Sequence, residues 1–320
     1  MRRLLLSVLA LAVLSGCALS AAPERSQAAV LVGIGEQDPG FLADPLFSDL
    51  KVKRGRVFVP WNAAQVKKQR VYLDFWLGQA NIRGVEPLVS FSVPDGSKCP
   101  RKPCKLPTVS QYTKAFKAFR KRWPTAKVIS PWNEANHRSQ PTWKNPKRAA
   151  QYYNVVRKYC KGCKIVAADV IDEANMEGWL KVFKRYAKSP KIWGLHNYRD
   201  TNIRKGQRTG GTKRLLNTVK GEVWLTETGG LVKFILPGGR CGKRPRGCLF
   251  PESTNRANTA IKRMFKLARS SGRIKRLYIY NWKQPAGKTA RFDAGLVDKK
   301  GKARPGYKTV KKTLAGAAFN

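Results

Sequence analysis

Glu134 lies in the stretch SPWNEANH (130–137), just past the apolar run VIS, and Glu227 lies in VWLTETGG (223–230), at the end of another. Acids are scarce in this chain, 19 Asp plus Glu against 64 Lys plus Arg. A carboxylate at the end of each of two apolar runs is therefore a candidate working residue rather than a solubilising one. Two carboxylates facing each other across a pocket are the minimum machinery for cutting a glycosidic bond. One is protonated to help the leaving group; the other is ionised to attack or to activate water. A sugar is polar at its edge and apolar on its faces. Trp61, Trp132, Trp282 and Tyr198 are the candidates to stack on such a face, and Asn62, Asn133, His137 and His196 to read hydroxyls. For the protonated member of such a pair to hold its proton, its pKa must sit well above its partner's, through burial and the repulsion of two like charges. This chemistry calls for no cofactor and no metal.

These residues need elements to carry them. Eight apolar runs recur: VLVGIG (30–35), RVFVPW (56–61), VEPLVSFSV (85–93), AKVISPW (126–132), KIVAADV (164–170), IWGLHNY (192–198), EVWLTET (222–228) and RLYIYNW (276–282). They are rich in Val, Ile, Tyr and Trp and mostly continuous, as suits parallel strands buried on both faces. Between them, spacings of three and four mark helices over 64–80, 109–123, 146–159, 174–188, 255–269 and 306–314. The order describes an α/β chain folded as a (β/α)₈ (TIM) barrel. A doubly wound sheet is the alternative, but VGIGEQDPG lacks the G-x-G-x-x-G spacing of a dinucleotide turn. The polar and aromatic candidates fall at C-terminal strand ends, which in a barrel converge on one face around one pocket. The long segment 229–252, tethered by cysteines, is the expected wall of that pocket.

At these positions the chain resembles the clan of retaining glycoside hydrolases on (β/α)₈ barrels, the group of cellulases, mannanases and xylosidases. The resemblance rests on WNE after the fourth strand, a Glu ending the seventh, and HNY (196–198) like the clan's His-x-Tyr. It implies Glu134 as general acid/base, Glu227 as nucleophile, Asn133 on the sugar 2-hydroxyl, Tyr198 bonded to Glu227, and Trp282 as the floor of the −1 subsite. One departure stands out. Many members hold the nucleophile with an Arg on the second strand. Here that strand ends in VPWN, so Arg56 is expected at the wrong end, with Asn62 or another group in its place.

The rest of the chain sets the context. MRR, an apolar stretch and Leu14-Ser15-Gly16-Cys17 read as an export leader over 1–16 with a lipobox-like end. Lipidation at Cys17, a tether over 17–29 and a single catalytic domain over 30–320 are expected, with ordinary signal cleavage as the alternative. The protein is then expected outside the cell, secreted or on the outer face of the membrane, as a monomer. Cys17 aside, six cysteines fall in close pairs, and the simplest connectivity is Cys99–Cys104, Cys160–Cys163 and Cys241–Cys248. A zinc site is disfavoured, since CKGC has no second close-spaced pair and the chain has two His. A formal net charge of +45 admits a nucleic-acid binder, but the bases are spread over helices and loops without a recognition motif. The partner expected is a carbohydrate, with the charge holding the protein near an anionic glycan or envelope polymer. An inactive glycan-binding barrel is the remaining alternative.

Overall fold

The structure, a computed structural model, describes residues 28–203, 207, 209–287 and 290–320. The expected leader, Cys17 and nearly all of the expected tether lie outside these residues. Eight parallel strands close a barrel: β1 (Leu31–Gly35), β2 (Arg54–Pro60), β3 (Glu86–Ser92), β4 (Val128–Ser130), β5 (Lys164–Ile171), β6 (Ile192–His196), β7 (Glu222–Thr228) and β10 (Ile274–Tyr280). Each of the eight apolar runs supplies one strand. The closing pair is β1 with β10, Leu31 opposite Arg276 and Gly35 opposite Tyr280.

Helices pack outside: α1 (Pro45–Asp49), α2 (Lys67–Ile82), α3 (Val109–Arg122), α4 (Pro146–Tyr159), α5 (Met176–Tyr186), α6 (Tyr198–Thr201), α7 (Gly211–Thr218), α8 (Thr254–Ala268) and α9 (Pro305–Leu314). Their starts are chemically marked. Thr108 and Gln111 form a reciprocal capping box on α3, and Pro146 and Pro305 open α4 and α9. Each long helix turns an apolar stripe to the strands, such as Tyr112, Phe116 and Phe119 on α3. These stripes and the outward strand residues form one continuous core. A second cluster, Leu88, Val128, Val166, Trp224 and Tyr278, plugs the barrel interior below the site.

The segment 229–252 is not a plain loop. It folds as a hairpin, β8 (Lys233–Arg240) and β9 (Arg246–Phe250), which β11 (Phe292–Asp293) extends to a three-stranded sheet. Three disulfides form as the spacing predicts: Cys99–Cys104 after β3, Cys160–Cys163 after α4, and Cys241–Cys248 across the hairpin. Among the described residues no helix is long and apolar enough to cross a membrane.

Candidate active site

Glu134 follows β4 at φ +47°, a left-handed conformation unusual for a residue with a side chain. The turn is pinned on both sides: the Asn133 amide donates to the Phe91 carbonyl (2.6 Å) and the Ala135 amide to the Asp169 carbonyl (2.9 Å). Glu227 points inward from near the end of β7. One oxygen of each carboxylate and a ring nitrogen of His196 all lie within 4.8 Å of one another.

Glu227 is held at both oxygens. The Tyr198 hydroxyl donates to Oε1 (3.0 Å) and the Arg56 guanidinium to Oε2 (2.5 Å). The second Arg56 nitrogen reaches Asn133 Oδ1 at 2.5 Å. Arg56 is thus not at the wrong end. Barrel strands are staggered against one another, and Arg56 pairs with Gly35, the last residue of β1. The two strands therefore bring Arg56 level with the site although β2 continues to Pro60. Asn62 does not take the role; its Oδ1 is buried without a partner.

His196 is fully buried at the junction. Its Nδ1 faces Glu134 Oε1 at 3.1 Å, and its Nε2 faces Asp169 Oδ1 at 3.2 Å. Burial alone would push the ring's pKa down, but the Glu227 and Asp169 carboxylates overcome it and lift it to about 10. The three carboxylates around it thus favour the imidazolium, although the Arg56 guanidinium also lies 3.2 Å from Nε2. The Glu134, His196 and Glu227 donor set resembles a cation's ligand set in spacing only. Arg56 already sits on Glu227 at 2.5 Å and so occupies the oxygen a cation would need. Burial pushes Glu134 up, yet the bond to His196 and its charge, with His137 and Arg56, hold it below the usual carboxylate range. The expectation of a raised Glu134 is not met in the free protein, because the imidazolium outweighs burial.

The sequence reading missed Asp169, Tyr280 and Glu36. Asp169, on β5, is completely buried; it accepts from Ser130 Oγ (3.1 Å) and Thr226, and lies 3.5 Å from Arg56. Burial raises its pKa, but His196 and Arg56 bring it down to about 2. An acid inside the run KIVAADV was the available signal, since a buried charge must find partners. Gly194 makes room for it: a Cβ there would stand 2.4 Å from Asp169 Oδ1. Tyr280 ends β10, and Glu227, Glu36 and Glu134 are near enough to add to the effect of burial in raising its hydroxyl. Glu36 ties the strand ends together, accepting from the Trp282 and Lys283 amides at 3.1 and 3.2 Å.

The remaining candidates divide. His137 lies 3.8 Å from Glu134 and the same from Glu173. Trp61 is half-buried and stacks on Tyr112, ring centroids 6.4 Å apart. Trp132 is sealed inward, its ring on Tyr152 and its Nε1 on Gln140 at 3.0 Å. Trp282 is 1% exposed. It is packed among Phe41, Phe47 and Tyr307 and bonded to Asp44 at 2.9 Å, so no ring face is open to a sugar. It lies two residues beyond the end of β10, and its place at the strand end belongs to Tyr280.

Comparison with known proteins agrees with this geometry. No curated protein matches the chain. Among solved structures, a family 39 glycoside hydrolase from Bacteroides cellulosilyticus WH2 superposes with TM-score 0.62 at 13% identity, covering 90% of this chain and 64% of that one. This chain thus spans just under two thirds of that longer protein. A GH5_18 protein from Streptomyces cattleya, in complex with GlcNAc, gives 0.63 at 14%, covering 91% and 80%. A monomeric β-xylosidase from Caulobacter crescentus CB15 gives 0.61 at 13%, covering 89% and 68%. At such identities these likenesses speak to the fold. The family described as glycosyl hydrolase catalytic core matches residues 106–309, more than half of the chain and inclusive of both glutamates. The chain belongs to that glycosyl hydrolase family and is a glycosidase.

Proposed function

We propose that this glycosidase cleaves O-glycosidic bonds of an oligo- or polysaccharide with retention of configuration. Glu227 is the nucleophile and Glu134 the acid/base. The observation that carries this reading is that one oxygen of Glu134 and one of Glu227 lie within 4.8 Å of each other, as the close pair of a retaining enzyme requires. Retaining enzymes use about 5–5.5 Å between carboxyl groups, whereas inverting enzymes need roughly 6.5–9.5 Å to admit a water. Glu227, clamped by Arg56 and Tyr198, has a fixed attacking oxygen. It attacks the anomeric carbon while Glu134 protonates the departing oxygen, and a glycosyl-enzyme forms. Glu134 then takes a proton from water, which releases the sugar. The low pKa of Glu134 in the free protein suits that second step. For the first, a bound sugar covers its exposed side and strips its water, which favours the protonated form. Asn133, fixed by Arg56, is placed to bond the sugar next to the reacting carbon. The reading also takes the chain outside the cell, secreted or anchored at Cys17; mass spectrometry of the mature N-terminus distinguishes a diacylglyceryl cysteine from a plain signal-peptidase terminus.

The catalytic test separates the two roles. Glu227→Ala should form no glycosyl-enzyme on any substrate. Glu134→Ala should lose about 10²–10⁴-fold on substrates with poor leaving groups. It should still load an activated aryl glycoside, and azide should speed release. From a β-glycoside the rescued product should be the β-azide. An inverted azide, or loading by Glu227→Ala, would overturn the assignment.

A further inference from the structure

The reaction leaves one motif unused, the stapled CKGC that follows α4. Helices of a barrel run back against the strands, so this loop lies at the end opposite the mouth. Along the exposed side of α4 runs a trough of about 670 Å³, lined by Gln151, Asn154, Arg157, Lys158, Lys161 and Lys188 among others. A second recess of about 590 Å³, bearing Lys114 and Lys117, shares Val109 with it. No acid lines either. Among the described residues, none of these six bases takes part in an ion pair. Lys117 and Lys158 both sit over the ring of Tyr159, at 5.5 and 5.3 Å from its centroid. Two ammonium groups share one ring with no carboxylate between them. The helix dipole accounts for Arg157 and Lys158 in the last turn of α4. It does not account for Lys114, Lys161 or Lys188. The Cys160–Cys163 bridge, Cα atoms 5.5 Å apart, fixes the loop that presents Lys161.

We infer that this flank is a binding site for an anionic polysaccharide, one bearing carboxylates or phosphates along its length, and that it holds the enzyme on such a polymer with the mouth left free. The inference goes beyond the proposed reaction and does not depend on it. Charge complementarity supplies the attraction, and an acid-free concave trough fits a single flexible strand better than a flat bilayer. Single-stranded nucleic acid binds on open aromatic platforms. Here the available ring is already covered by two ammonium groups, so the site offers charge without stacking.

The test compares two quadruple variants of equal charge change, K114Q/K117Q/K158Q/K161Q on this flank and K262Q/K266Q/K308Q/K312Q on α8 and α9. All eight lysines are exposed. Binding to polygalacturonate, poly(glycerol phosphate), neutral dextran, single-stranded DNA and phosphatidylglycerol vesicles is measured against salt, with circular dichroism to confirm folding. The flank variant should lose at least about tenfold in affinity for a polyanionic glycan and flatten the salt dependence by roughly three in log–log slope. The control variant should lose less than about threefold, and K→R at the flank should restore binding. Preference for polygalacturonate assigns carboxylates, and preference for poly(glycerol phosphate) assigns phosphates. Equal losses in the two variants, no binding to either polymer, or tighter binding to DNA or vesicles would overturn the inference. Aryl-glycoside turnover, assayed alongside, should be unchanged in both variants; loss of the reaction in the parent protein would count against the catalytic reading alone.

Discussion

Asp169 shows how one buried residue sets the charge state of a site. It faces His196 and Arg56 together, and each of those two faces one carboxylate of the proposed catalytic pair. Asp169→Asn keeps the shape and an acceptor but removes the charge. The imidazolium beside Glu134 is then weakened, so the pKa of Glu134 should rise. A general acid is lost as pH climbs through its pKa. The alkaline limb of kcat/KM should therefore move upward, by about one pH unit for a charge at this range. A variant that loses turnover with an unmoved pH profile would make Asp169 merely structural. The two glutamates were legible because each follows a strand-ending apolar run in an acid-poor chain. Tyr198 was legible through the resemblance of HNY to the clan's His-x-Tyr. Arg56 was not, because its position depends on inter-strand stagger, which no single strand's sequence carries. Trp282 was misplaced because a residue two positions past a strand end is free to turn outward, and Phe41, Phe47 and Tyr307 gave it a core to enter.

The elements themselves were read well where apolar periodicity was strong. All eight barrel strands and six long helices stand where the runs predict. The pieces missed are short and held by tertiary contacts. The hairpin of β8 and β9 is largely exposed or half-buried and Gly-, Pro- and Arg-rich, so its sequence looks like loop. Its pairing with β11 sets Phe234 against Phe292, and Phe292 against Tyr198, so the hairpin braces the tyrosine that holds Glu227. Helix α7 starts on a cap that sequence spacing hides. Asp200 accepts from the amides of Gly210, Gly211 and Thr212. Beside it, Asp172 accepts from the Arg199 and Asp200 amides at 2.9 and 3.2 Å, while its Oδ1 has no partner. Burial and the Asp200 charge raise Asp172 to about 7, from 3.8. A folded pKa above the unfolded one means the native state binds more protons between those values. This site's contribution to stability therefore falls as pH rises from about 4 to 7 and stays low above. Asp172→Asn, with its carbonyl toward the same two amides, should be close to neutral at pH 4. At pH 8 it should raise Tm by about 2–4 °C, a gain on the order of 1 kcal/mol. Thermal melts at the two pH values check it; equal shifts at both would show that the carboxylate's charge is not the cost.

At the scale of the whole molecule, charge is segregated. The barrel centre concentrates acid–base contacts, whereas α3, α4, α8 and α9 carry no acidic residue at all. The sheath is therefore a positive shell around a neutralised centre, and a formal net charge of +45 makes the folded chain repel itself. Salt acts on the two parts differently. Arg56–Glu227 and Arg304–Asp293 are buried and little screened. Exposed pairs such as Arg122–Asp74 and Lys311–Asp49 do weaken with salt, but such pairs are worth about 0–1 kcal/mol each. The repulsion among the many surface bases reaches farther, because the screening length is about 30 Å at 0.01 M salt and about 8 Å at 0.15 M. The repulsive term should win. Raising NaCl from 10 to 150 mM at pH 7 should therefore increase Tm by several degrees, with most of the gain complete once the screening length drops below the spacing between helices. The control is the α8/α9 lysine-to-glutamine variant, which should be more stable than the parent at low salt and gain less from added salt. A Tm that falls with NaCl would show instead that surface ion pairs outweigh self-repulsion.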